Sequence, residues 1–88
     1  MTTVNLTLMN RSAKPLTVMI EPEGRDFWLL PGQEFELSAE ALTKKGKFIV
    51  ENADGYIAVY PDRDVNSISV SHDGVEVECG YQRPEEMK

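Results

Sequence analysis

Glu21-Pro22-Glu23-Gly24-Arg25-Asp26-Phe27-Trp28-Leu29-Leu30-Pro31-Gly32-Gln33-Glu34-Phe35-Glu36-Leu37 holds two Pro/Gly turns, the single Trp and two of the three Phe residues. Pro22 cannot donate to a β-ladder and Gly24 tolerates positive φ, so the first turn ends a strand. Pro31-Gly32 matches the central pair of a type II turn, with Pro at i+1 and Gly at i+2. Between the turns, Asp26 to Leu30 reads as a short strand that is apolar on both faces. Phe27 and Leu29 point one way, Trp28 and Leu30 the other. A tight hairpin at Pro31-Gly32 would pair Trp28 with Phe35 and bury it, leaving Phe27 and Leu29 beside Glu34 and Glu36. Type II turns suit tight hairpins poorly, which favours a crossing to a second sheet. Either way one apolar pair is surplus to a simple core.

Outward from this segment, period-2 alternation dominates. Val4, Leu6 and Leu8 alternate with Asn5, Thr7 and Met9, and Leu16, Val18 and Ile20 with Thr17, Met19 and Glu21. Each pattern predicts a strand with one buried face, and Asn10 to Pro15 is a loop between them. Glu34 to Ser38 alternates as a fourth strand. Ser38 could cap a helical turn through Leu42, with Gly46 as its stop, or open a plain loop. Asn52-Ala53-Asp54-Gly55 as a four-residue loop sets Phe48 and Val50 against Val59 and Ile57, Ile49 against Ala58, and Lys47 against Tyr60. Asp73-Gly74 is a type I′ hairpin signal, and a two-residue turn there pairs His72 with Val75, Val70 with Val77 and Ile68 with Cys79. Those six residues share one face, so turn and pattern agree on the register.

Seven to eight short strands with turns about every 8–12 residues predict an all-β fold, a small antiparallel β-sandwich of Ig-like or jelly-roll type. A partly open β-barrel is the alternative. With 88 residues there is room for one core only. We take 1–81 as a single β domain and Gln82 to Lys88 as a polar C-terminal tail.

The two turns in the opening segment, with the later Asp73-Gly74 hairpin between Ser67 and Glu78, resemble a group of small bacterial all-β proteins. That group carries a Glu-Pro-x-Gly turn followed by a Leu-x-Pro-Gly turn, here Glu21 to Gly24 and Leu29 to Gly32. A Trp often fills the third position of its first motif, where this chain has Glu23. The resemblance spans about two thirds of the chain, rests on turn chemistry, and implies the fold class without implying an activity.

The formal net charge of −6 repels phosphate backbones and anionic lipid, so neither nucleic acid nor a membrane surface is expected as a partner. The single cysteine, Cys79, excludes an internal disulfide. With no basic leader at Met1 to Asn5 and no long apolar run, the expected location is the cytoplasm.

Chemistry-bearing residues are sparse. His72, the only histidine, lies at a turn, while Cys79 sits at the far end of the same hairpin, which separates them as a nucleophilic pair. Cys79 reads as a small buried thiol. Glu21, Glu23 and Asp26 form one carboxylate group, and Asp62, Asp64 and Asp54 another. Asp62-Arg63-Asp64 has the one-residue spacing of a calcium loop but lacks its glycine and distal glutamate. No catalytic residue, cofactor or metal site is expected, and the chain reads as a non-enzyme. The remaining candidates are aromatic. Phe27, Trp28 and Leu29 on one strand, and Tyr56 and Tyr60 on another, form the expected surface of a protein-interaction or self-association module. A small-ligand domain for a sugar or a cation is the alternative.

Overall fold

Two-residue alternation becomes eight strands in the computed structural model, which describes residues 2–87. They are β1 (Thr2–Met9), β2 (Leu16–Ile20), β3 (Arg25–Leu29), β4 (Glu34–Ala41), β5 (Phe48–Ala53), β6 (Tyr56–Pro61), β7 (Ser69–His72) and β8 (Val75–Val77). A 3-10 turn, Glu85–Met87, is the one helical piece among the described residues. The strands form two four-stranded sheets, ordered β1-β4-β7-β8 and β3-β2-β6-β5. No barrel closes. The sheets enclose Val18, Ile20, Phe27 and Leu29 from one side and Phe35, Leu37 and Val70 from the other, and the expected β-sandwich is what the chain forms. Among the described residues, no helix is long and apolar enough to cross a membrane.

Five ladders are antiparallel, and the sixth, β2 with β6, is parallel. A parallel pair needs a crossover. Here the chain leaves β2 through β3, visits the first sheet as β4, and returns through β5 before laying β6 beside β2.

The crossing is made at Leu30-Pro31-Gly32-Gln33. The Gln33 N–H donates to the Leu30 carbonyl at 3.1 Å and Gly32 adopts φ +82°, as a type II turn requires. Because β4 enters the opposite sheet, Trp28 does not pair with Phe35. Phe27 and Leu29 are instead 0% exposed, facing Phe35 and Leu37 across the core. Asn10 secures this corner. It is buried, and its Nδ2 donates to the Leu29 and Lys14 carbonyls, each at 2.8 Å. Its Oδ1 accepts from the Ser12 N–H and Oγ, and its backbone bonds Gly32 and Gln33.

The terminal hairpin has the expected register, Val70↔Val77 and His72↔Val75, with both Asp73 and Gly74 at positive φ. Several other expectations are corrected. Ser38 to Ala41 form no helical turn, because they continue β4 and pair with Asn5 to Thr2 of β1. Gly46 is there for space: a Cβ on it would lie 2.3 Å from Ala41 Cβ. In the β5–β6 hairpin the turn is Asp54-Gly55 alone, giving Ala53↔Tyr56 and Ile49↔Tyr60. The two-residue shift leaves every side chain on its expected face.

Lastly, β8 stops at Val77, and Ile68 does not pair with Cys79. The chain turns at Glu78 to Tyr81 and crosses to the edge of β3. There Gly80 N–H donates to the Asp26 carbonyl, Trp28 N–H donates to the Tyr81 carbonyl at 2.9 Å, and Phe27 bridges Tyr81. Cys79 is therefore exposed, since this departure carries it off the core face. Gln82 and Arg83, at the start of the polar 82–88 segment, both bond to β3. Met1 and Lys88 lie outside the described residues.

Candidate interaction groove on the outer face of the second sheet

Register alone assembles a row of unlike side chains on the outer face of the β3-β2-β6-β5 sheet. Trp28 lies opposite Thr17, which lies opposite Tyr56; one step along, Asp26 lies opposite Met19 and Met19 opposite Ala58. Thr17, Met19, Glu21, Asp26, Trp28 and Tyr56 line an open groove of about 530 Å³. Gly24 and Gly55 also line it, contributing no side chain.

Trp28 is held at several points. Its indole N–H donates to Asp26 Oδ2 at 2.9 Å. Its own carbonyl accepts from Gln82 Nε2 at 2.8 Å, and Gln82 also donates to Gln33 Oε1 at 2.8 Å. Asp26 is clasped in turn by Arg83, whose Nε donates to Oδ2 at 2.8 Å while Nη2 bonds Oδ1. The Cys79 thiol donates to the same Oδ1 at 3.4 Å. The Arg83 hydrogen bonds, helped by the Trp28 and Cys79 donors, outweigh burial and hold the Asp26 carboxyl far below the usual carboxylate range. The same pairing raises the Arg83 guanidinium. Asp26 is thus a saturated acceptor that orients an indole, with no free lone pair suited to proton transfer.

The far end of the face is negative. Tyr60 Oη lies 3.5 Å from Glu51 Oε1. The Glu51 carboxylate, then burial, then Glu21 push the Tyr60 phenol above its ordinary value. A phenolate is disfavoured there because negative potential already occupies the site.

Of the five expected surface residues, the structure brings Trp28 and Tyr56 to one groove and sets Tyr60 beyond it on the same face. Phe27 and Leu29 are removed from the surface altogether. Their side chains alternate to the opposite face from Trp28, and that face is the core. The segment 38–46 does not line the groove. Met19 was not singled out from the sequence, although its outward position in β2 follows from the alternation. Gln82 and Arg83 carry no local signal of their role, since the partners that place them lie 49 to 57 residues earlier.

The remaining polar candidates are committed elsewhere. His72 Nδ1 is 2.7 Å from Tyr81 Oη, and the ring packs edge-on to Phe35 at 5.8 Å. Glu23 pairs with Arg25 at 3.2 Å, while Arg25 Nη2 donates to the Ile68 carbonyl and so ties the two sheets. Asp62 accepts from the Arg63 N–H, and Asp64 from the Thr43 hydroxyl. Among the described residues, no group of three or more His, Cys, Asp or Glu could hold a metal ion. No protein family, curated protein or solved structure matches the chain.

Proposed function

We propose that the chain acts by binding rather than by catalysis, and that its outer β3-β2-β6 face takes a basic, apolar segment of a protein partner. The observation that carries this reading is the Trp28 indole, held by Asp26 and Arg83 alongside Met19 and Tyr56. A large side chain fixed before binding loses little entropy on association, which is why rigid aromatics anchor interfaces. Glu21 within the groove and Glu51 at its end, on a chain of net charge −6, favour a Lys or Arg beside the partner's apolar anchor. A reducing, cytoplasmic setting suits the unpaired, exposed Cys79 thiol.

Selection of random peptides on the wild-type protein, with counter-selection on Trp28→Ala, tests the proposal. The expected consensus is an aromatic or aliphatic residue within a few positions of Lys or Arg. Acidic or wholly polar consensus sequences, or none that depend on Trp28, would overturn it.

Aromatic faces beside a carboxylate also suit a sugar, and Trp28, Tyr56 and Glu21 supply both. A thermal-shift screen separates this second reading, because a bound sugar raises the melting temperature by mass action. A flat sugar screen beside a positive peptide selection decides for the first.

A further inference from the structure

We propose that β1 is a self-association edge, pairing antiparallel with β1 of a second copy to join the two first sheets into one continuous sheet. The inference comes from comparing the four sheet edges. An open edge presents unpaired backbone groups, and folded proteins guard such edges with charge, brevity or a covering segment. The edge of β3 is covered by the Gly80 to Gln82 crossing. β8 has three residues and carries Glu76. β5 has Glu51 at its centre and Lys47 just before it. β1 is eight residues long, Thr2-Thr3-Val4-Asn5-Leu6-Thr7-Leu8-Met9, with no charge, no Pro and an unbroken register to β4.

Which backbone groups are free follows from the ladder. Asn10 N–H donates to the Gln33 carbonyl on the β4 side. On β4 itself, the Glu40 carbonyl accepts from Asn66 N–H on the opposite side. Even-numbered residues of β1 therefore bond β4, and Thr3, Asn5, Thr7 and Met9 send N–H and C=O to the open edge. An antiparallel pairing with Leu6 on the two-fold axis sets Thr3 opposite Met9 and Asn5 opposite Thr7 of the second copy. That gives about eight backbone hydrogen bonds, two for each hydrogen-bonded pair. On the core side it sets Leu6 against Leu6 and Val4 against Leu8. These three side chains are only half-buried in the single chain, and the second copy would cover them. The strand is self-complementary in this register, since no charged residue meets another. The copies otherwise repel at −6 each, so added salt should strengthen the pairing. Binding of a basic segment at the Trp28 groove has the opposite salt dependence, so the two proposals fail independently.

The test is sedimentation equilibrium over a wide concentration range at low and high salt. The expected result is a monomer–dimer equilibrium that shifts toward dimer with salt. Asn5→Pro removes an N–H that β4 does not use, and Asn5→Lys places a charge on the edge. Each should weaken dimerisation at least tenfold while the circular dichroism stays that of the wild type. In a Cys79→Ser background, Leu6→Cys should form a disulfide-linked dimer on air oxidation faster than Asn5→Cys. A wild-type monomer at every concentration, or a dimer insensitive to both Asn5 variants, would overturn the proposal.

Discussion

Trp28 donates its indole N–H to the carboxylate of Asp26, two residues earlier on the same face of β3, at 2.9 Å. A neighbour pair at i, i+2 on an edge strand would ordinarily wave in solvent. This one is fixed because Asp26 is itself gripped by Arg83 from the C-terminal crossing. The C-terminal crossing thus sets the geometry of a groove built on β2, β3 and β6.

Asp26→Asn is expected to destabilise the fold by about 2 kcal/mol at neutral pH, the scale of losing hydrogen bonds to a charged group. The sign with pH follows from the direction of the shift. Asp26 is held below its unfolded value, so its contribution is present above about pH 4 and fades as pH falls through the folded value. The stability gap between wild type and Asp26→Asn should therefore narrow as pH is lowered from about 5 toward 2. Urea unfolding at several acidic pH values measures this. A gap constant with pH would show that the ion pair with Arg83 contributes nothing through its charge.

Phe27 and Trp28 are adjacent in sequence and should behave as opposites. Phe27 is wholly buried, so Phe27→Ala should cost about 3–5 kcal/mol through the cavity it leaves. Trp28→Ala removes a half-buried ring from the outer face, where about 1–2 kcal/mol is expected. The order reverses for partner binding, which only Trp28→Ala should abolish in a folded protein. Denaturant midpoints for the two variants decide the stability half.

Asn10→Ala should be among the costliest changes at any polar position. It strips the side-chain donor from the buried Leu29 carbonyl, one of two side-chain donors from the carbonyl of exposed Lys14, and an acceptor from Ser12. A loss of about 2–3 kcal/mol is expected, from leaving the buried Leu29 carbonyl without its side-chain donor. Asn10→Asp cannot donate and should fare no better. Thermal unfolding of both variants checks this.

Much of this fold was legible where turn chemistry and alternation agree. Asp73-Gly74 set the β7–β8 register, and Leu30 to Gln33 formed the type II turn that their residues demand. Where local preferences competed, tertiary pairing decided. Ser38 to Ala41 contain good helix formers, yet β1 offered eight residues of ladder and drew them into β4. The β5–β6 turn contracts to Asp54-Gly55 with Gly55 alone at positive φ, so it is not the type I′ turn formed at residues 73–74, and the ladder that runs on to Ala53↔Tyr56 sets it. The groove was half legible. Trp28 and Tyr56 stand out by type, but their meeting depends on the parallel β2–β6 ladder, which no local signal announces. Arg83 looked like part of a solvated tail, and only its contact with Asp26 reveals its place.

Because Trp28 is the only Trp and lies in the groove, its fluorescence reports occupancy directly. The most direct measurement is a titration of the wild-type protein with a short peptide of alternating Leu and Lys, against the same peptide with Glu for Lys. A saturable change in Trp28 emission with the basic peptide alone, weakened by salt and lost in Tyr56→Ala or Glu21→Lys, is the expected result. Equal responses to both peptides, or an emission that neither changes, would contradict the assignment of this face as a binding surface for a basic segment.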